Sequence, residues 1–95
     1  YFSLVPLMHA QQGSIRGAVF DKGSGEYLPG VTIILDGTTI GTLTDLDGKF
    51  NLKVNPGTYT LKASFISYET RILKDLKVNA GEVLVLDDMF LQETT

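Results

Sequence analysis

The sequence has no cysteine, no tryptophan and a single histidine, His9. Without thiols there is no disulfide framework, zinc–thiolate site or cysteine nucleophile, and the redox compartment cannot be inferred from disulfide usage. One imidazole cannot supply a site that needs two. Helical periodicity is lacking too: no window sustains apolar residues at a spacing of 3.6, so little or no helix is expected. No apolar run approaches the roughly 20 residues a helix needs to cross a bilayer. Basic charge is scarce and scattered, with eight Lys and Arg against eleven Asp and Glu, a net charge of −3 and no two basic residues adjacent. Nucleic acid is therefore not an expected partner.

What is present is ordinary globular material, 43% hydrophobic and 20% charged over 95 residues. A chain of this size forms one domain with one modest core and buries about 60–65% of the surface its unfolded form exposes. The first ten residues stand apart. Tyr1 to Ala10 is apolar and uncharged, has Pro6 in its middle, and runs into the polar pair Gln11-Gln12. This pattern reads as the tail of a secretory signal peptide with Ala10 before the cut, although Met8 is large for its position. A first strand or a flexible tail is the alternative. On the first reading the domain occupies 11–92, the chain is exported, His9 leaves with the leader, and 93–95 begin a linker to a following domain.

From Ser14 onward the period is two. Phe50, Leu52 and Val54 alternate with Lys49, Asn51 and Lys53, and Tyr59, Leu61, Ala63 and Phe65 alternate with Thr58, Thr60, Lys62 and Ser64. Two half-buried strands follow. Asn55-Pro56-Gly57 between them offers tight-turn chemistry, and a hairpin is expected there. Ser14 to Asp21 and Val31 to Leu35 read as further strands, the second closed by Asp36-Gly37 and answered by a short strand from Thr39 to Thr44. Glu69 to Val78 is interrupted at Leu73-Lys74-Asp75, which predicts a bulge or a broken edge strand. Glu82 to Leu91 is a last strand whose run Val83-Leu84-Val85-Leu86 is apolar on both sides, so neither face can be assigned. Seven short strands with turn signals between them predict an all-β, antiparallel sandwich. They are too few and too short for a transmembrane barrel.

Taken in order, Ile15-x-Gly17-x-Val19-x-Asp21, Gly25-Glu26-x-Leu28-Pro29-Gly30-Val31, Asp36-Gly37-Thr38-x-x-Gly41-Thr42-x-Thr44-Asp45-x-Asp47-Gly48-x-Phe50, Pro56-Gly57-x-Tyr59-x-Leu61 and Ser67-Tyr68-Glu69 resemble the carboxypeptidase-regulatory-like domain. The resemblance runs from about Ser14 to Leu91. It implies a seven-stranded, Greek-key sandwich like that of transthyretin. It also implies a non-catalytic role, either beside the zinc domain of some carboxypeptidases or at the mature N-terminus of SusC-like TonB-dependent outer-membrane receptors of Bacteroidota. A leader directly before the domain favours the receptor. The implied partners are the plug and barrel of the same receptor, together with periplasmic energy-coupling proteins. The sequence departs from the family at Ser67, where Gly is usual, a change that costs little if the backbone there is extended.

Each tempting site has a plainer reading. Asp45-Leu46-Asp47-Gly48 suggests calcium, yet with Gly48 at the sixth position of a helix–loop–helix calcium loop, Leu43 and Val54 fall where the first and last acidic ligands belong. A structural turn is expected instead, with Asp45 accepting backbone N–H groups and Gly48 at positive φ. Gly23-Ser24-Gly25 lacks the Lys-Ser/Thr and the helix start of a phosphate cradle, and reads as a surface loop. Tyr27, Tyr59 and Tyr68 suggest an aromatic platform for a sugar, but Tyr59 belongs to the apolar face of its strand. No catalytic, cofactor-binding or metal-ligating residue is assigned, and no small-molecule ligand is expected. Contact with other proteins is the expected mode of action, with Glu69 to Val78 as the expected open edge.

Overall fold

Alternation of apolar and polar side chains, punctuated by glycine, builds eight strands in the computed structural model, which describes residues 11–94. They are β1 (Gly13–Asp21), β2 (Thr32–Leu35), β3 (Gly41–Leu43), β4 (Lys49–Val54), β5 (Gly57–Ser64), β6 (Arg71–Val78), β7 (Val83–Val85) and β8 (Met89–Leu91). The segment 1–10, read above as a leader remnant or tail, lies outside the described residues. β4, β1 and β7 form one sheet, with β8 also on β1; β3, β2, β5 and β6 form the other. The sheets close over Ile15, Val19, Val31, Ile33, Leu35, Phe50, Leu52, Val54, Leu61, Ala63, Val78, Met89 and Leu91. The all-β sandwich expected from the periodicity is what forms, and the inward faces of β2, β4 and β5 are those the alternation assigns.

Three expectations need correction. The Asn55-Pro56-Gly57 turn does not close a hairpin, because β4 pairs with β1 while β5 pairs with β2 and β6. Both strands carry an apolar face, and each face is buried against the opposite sheet, so the turn carries the chain from one sheet to the other. Tyr59 spans this arch, its hydroxyl donating to the Asn55 carbonyl at 2.6 Å.

The strands number eight, because the expected last strand is two, interrupted at Leu86-Asp87-Asp88. Ser14 lies opposite Val83 and Val19 opposite Met89, so one extra residue accumulates on the later strand between them. Adjacent aspartates, poor strand formers, occupy that bulge.

Nor is the sandwich wholly antiparallel, since β7 and β8 both run parallel to β1. After β6 the chain crosses from the second sheet back to the first and arrives beside β1 in the same direction, as a crossover allows and a hairpin does not.

The predicted irregularity in Glu69 to Val78 is a bulge. Tyr59 pairs with Leu76 and Leu61 with Leu73, so Lys74-Asp75 carries the extra residue, with Asp75 at φ 59°. β6 is an edge of its sheet, as its sequence suggested.

Candidate functional site

The Asp45 to Gly48 turn is built from its own aspartate. Asp45 Oδ1 accepts the Asp47 and Lys49 N–H groups, both at 2.9 Å, and the Asp45 carbonyl accepts from Gly48 N. Gly48 lies at φ 71°, and a Cβ there would stand 2.6 Å from the Val19 carbonyl oxygen. The carboxylate that tempted a calcium reading is engaged in holding backbone. Among the described residues no group of three or more His, Cys, Asp or Glu side chains converges.

The Gly23-Ser24-Gly25 loop follows the same logic. Asp21 Oδ1 accepts from Gly23 N at 3.1 Å, Asp21 Oδ2 from Ser24 Oγ at 2.9 Å, and Ser24 Oγ accepts from Glu26 N. The amides that would cradle an anion are spent inside the loop, Gly23 N on the Asp21 carboxylate, Gly25 N on the Asp21 carbonyl and Glu26 N on the Ser24 hydroxyl.

The three tyrosines are not brought together. Tyr27 joins Phe20 and Phe90 in a row of rings with centroids 4.9 and 5.4 Å apart, and it is half exposed. Tyr68 packs on Phe65, and Tyr59 packs against the core. Burial, and after it the Asp21 and Glu93 carboxylates, push the Tyr68 hydroxyl above its ordinary pKa of 10.0.

Two features escaped the sequence. Thr44 is buried, and its hydroxyl accepts from Val31 N at 2.9 Å and donates to the Leu28 carbonyl at 2.6 Å, tying the 28–31 connection to the end of β3. A lone threonine at a strand end carries no signal of such a role. The outgoing chain is also clasped: Glu69 N donates to the Gln92 carbonyl, while Thr94 N and Oγ1 donate to the Ser67 carbonyl. Ser67 is not extended but stands at φ 67°, so the premise that made its departure from glycine cheap does not hold.

Several shallow surface grooves lie among the described residues, and two of them bear on contact. One, of about 520 Å³, crosses the outer face of β4, β1 and β7 over Ala18, between Arg16, Lys49 and Asn51 on one side and Val85 and Asp88 on the other. The second, of about 560 Å³, runs beside Phe90 between Lys22 and Arg71. Neither encloses its contents, and both offer a surface for contact.

A family model described as the CarboxypepD_reg-like domain matches residues 15–94. TonB-dependent receptor P3 of Formosa agariphila is 34% identical over 85 residues, covering 88% of this chain and 8% of that protein. TonB-dependent receptor SusC of Bacteroides thetaiotaomicron is 38% identical over 79 residues, covering 83% of this chain and 7% of the receptor. The chain thus spans under a tenth of the length of these relatives. Among solved structures, a type II cohesin–X–dockerin complex from Acetivibrio cellulolyticus superposes with a TM-score of 0.72 at 24% identity, over 85% of this chain and 58% of that one. At that identity the likeness concerns the fold alone.

Proposed function

The chain belongs to the CarboxypepD_reg-like domain family, and on that premise we propose that it is a non-catalytic, N-terminal accessory domain of a TonB-dependent outer-membrane receptor. It stands on the periplasmic side and acts by protein contact. The observation that carries this reading is the coverage: nearly all of this chain aligns to a small part of much larger receptors, as one module of a transporter would. The site geometry supports it, since the candidate loops spend their polar groups within their own turns while, among the described residues, grooves and strand edges stay open. Segment 1–10 would then be the residue of an export signal. The partners are the receptor's own plug and barrel and the periplasmic proteins that couple it to energy. The imported nutrient would be chosen by those other parts of the receptor.

Deleting Ser14 to Leu91 from the full receptor, with the following segment left in place, tests this. The expected result is reduced uptake under nutrient limitation at an unchanged receptor level in the outer membrane. Undiminished uptake would make the domain a spacer and end the contact reading.

A further inference from the structure

We propose that the edge of β4, which no other strand among the described residues covers, binds an extended peptide strand bearing carboxylates at alternate positions. This deepens the contact reading above by naming the surface and the chemistry of the partner.

The backbone directions settle which groups are open. Ser14 N donates to the Glu82 carbonyl and Leu86 N to the Arg16 carbonyl, so Ser14 and Arg16 turn their polar groups toward β7. Gly13, Ile15 and Gly17, alternating with them, turn toward β4, where their partners are Val54, Leu52 and Phe50. The N–H and C=O groups of Lys49, Asn51 and Lys53 therefore face away from the sheet. Those of Lys49 are occupied: its N donates to Asp45 Oδ1 at 2.9 Å and its carbonyl accepts from Asp45 N at 2.8 Å. An aspartate of the chain itself thus sits on the first position of this edge, and the groups of Asn51 and Lys53 continue the ladder beyond it.

Two of the three side chains beside those groups are basic. Lys49, Asn51 and Lys53 all project from the outer face, as the alternating burial of β4 requires. Arg16 of β1 lies next to them, its Nε donating to Asn51 Oδ1 at 3.1 Å. Among the described residues the one ion pair is Lys62 with Asp36, so Arg16, Lys49 and Lys53 have no carboxylate at salt-bridge distance. This basic stripe belongs to a chain whose net charge is −3.

The other edges are poorer templates. β3 and β8 have three residues each, β6 is kinked by the Asp75 bulge, and β7 stops after Val85. A bulge or a short edge is the usual defence against strand addition. β4 is six residues long and unbroken. Antiparallel self-pairing about Asn51 is disfavoured, because it sets Lys49 against Lys53 of the other copy, and like charges directly opposite repel. Lys53, and Arg16 beside Asn51, favour a strand with acids at positions i and i+2, opposite Asn51 and Lys53.

The test is an amide NMR titration of the 95-residue chain with the peptide Ac-Thr-Glu-Val-Glu-Thr-NH2. The control peptides carry Lys for Glu, or N-methyl groups on the Glu residues. The largest shifts and a slowing of exchange are expected at the Asn51 and Lys53 amides, with Phe50 and Leu52 little affected. The Lys peptide should bind about tenfold more weakly at low salt. Lys49→Glu with Lys53→Glu, both exposed and compatible with folding, should reverse that preference, and N-methylation should abolish binding. Shifts confined to β6 or to the Phe20–Tyr27–Phe90 row, equal binding of both charged peptides, or no response at millimolar peptide would overturn the proposal. Failure here would leave the uptake experiment free to support contact through another surface; unaffected uptake on deletion would remove the contact reading whatever the peptides do.

Discussion

Ser67 carries a strained backbone at φ 67° on an exposed turn, with its carbonyl accepting from Thr94. A side chain in the left-handed region is opposed by the close approach of Cβ to the carbonyl oxygen, and glycine is not. Ser67→Gly should therefore stabilise the domain by about 0.5–1 kcal/mol, read as a higher urea midpoint at unchanged m-value. A lower midpoint would mean that the flexibility glycine lends the unfolded chain outweighs the strain. Thr44 is the opposite case, a residue whose value lies in two hydrogen bonds made under cover. Thr44→Val keeps the shape but leaves the buried Val31 N–H and the part-buried Leu28 carbonyl unpaired, so a loss of about 1–3 kcal/mol is expected. Thr44→Ser keeps the hydroxyl and should lose well under half of that. Equal losses in the two variants would show that the methyl, not the hydroxyl, matters.

The elements are set by what lies beside them. Gly17 on β1 faces Phe50 on β4, and a Cβ at Gly17 would stand 2.8 Å from the Phe50 ring, so the ring lies over the glycine. Gly17→Val should displace the ring and cost about 1–3 kcal/mol, as overpacking does. Combining it with Phe50→Leu should recover part of that loss. Additive losses in the thermal melts of the double variant would refute the pairing. The Asn55-Pro56-Gly57 turn and the Glu82 to Leu91 stretch show where local reading reaches its limit. Turn chemistry at 55–57 reports that the chain reverses, not whether the two strands meet edge to edge or face to face. In the run Val83 to Leu86 period two returns once β1 lies alongside: Leu84 and Leu86 are half buried, while Val83 and Val85 are exposed.

At the scale of the whole molecule the first strand is the hub. β1 pairs with β4 and with the two last strands, so the sheet is incomplete until the C-terminal residues arrive. Met89 and Leu91 are fully buried on β8. A chain ending at Val78 should not fold cooperatively, and its amide spectrum should show the narrow dispersion of an unfolded protein. A well-dispersed spectrum would show that β7 and β8 are dispensable. Because these pairings join distant parts of the chain, refolding of the intact domain should fall in the slow range of milliseconds to seconds typical of sandwiches.

The sequence by itself determined the fold class, the inward faces of β2, β4 and β5, an irregularity in β6 and the Asp45 to Gly48 turn. Each rests on spacing between neighbours in the chain, where the pleat and the demands of positive φ act directly. Only the tertiary structure decided that β4 and β5 lie in different sheets, that β1 takes parallel partners, that Ser67 is left-handed and that Thr44 is a buried tie. It also decided that the open backbone groups of β4 lie beside a basic stripe. These depend on which strand lies beside or across from which, and a period-two pattern is the same whether the neighbour is a hairpin partner, a parallel strand or the opposite sheet.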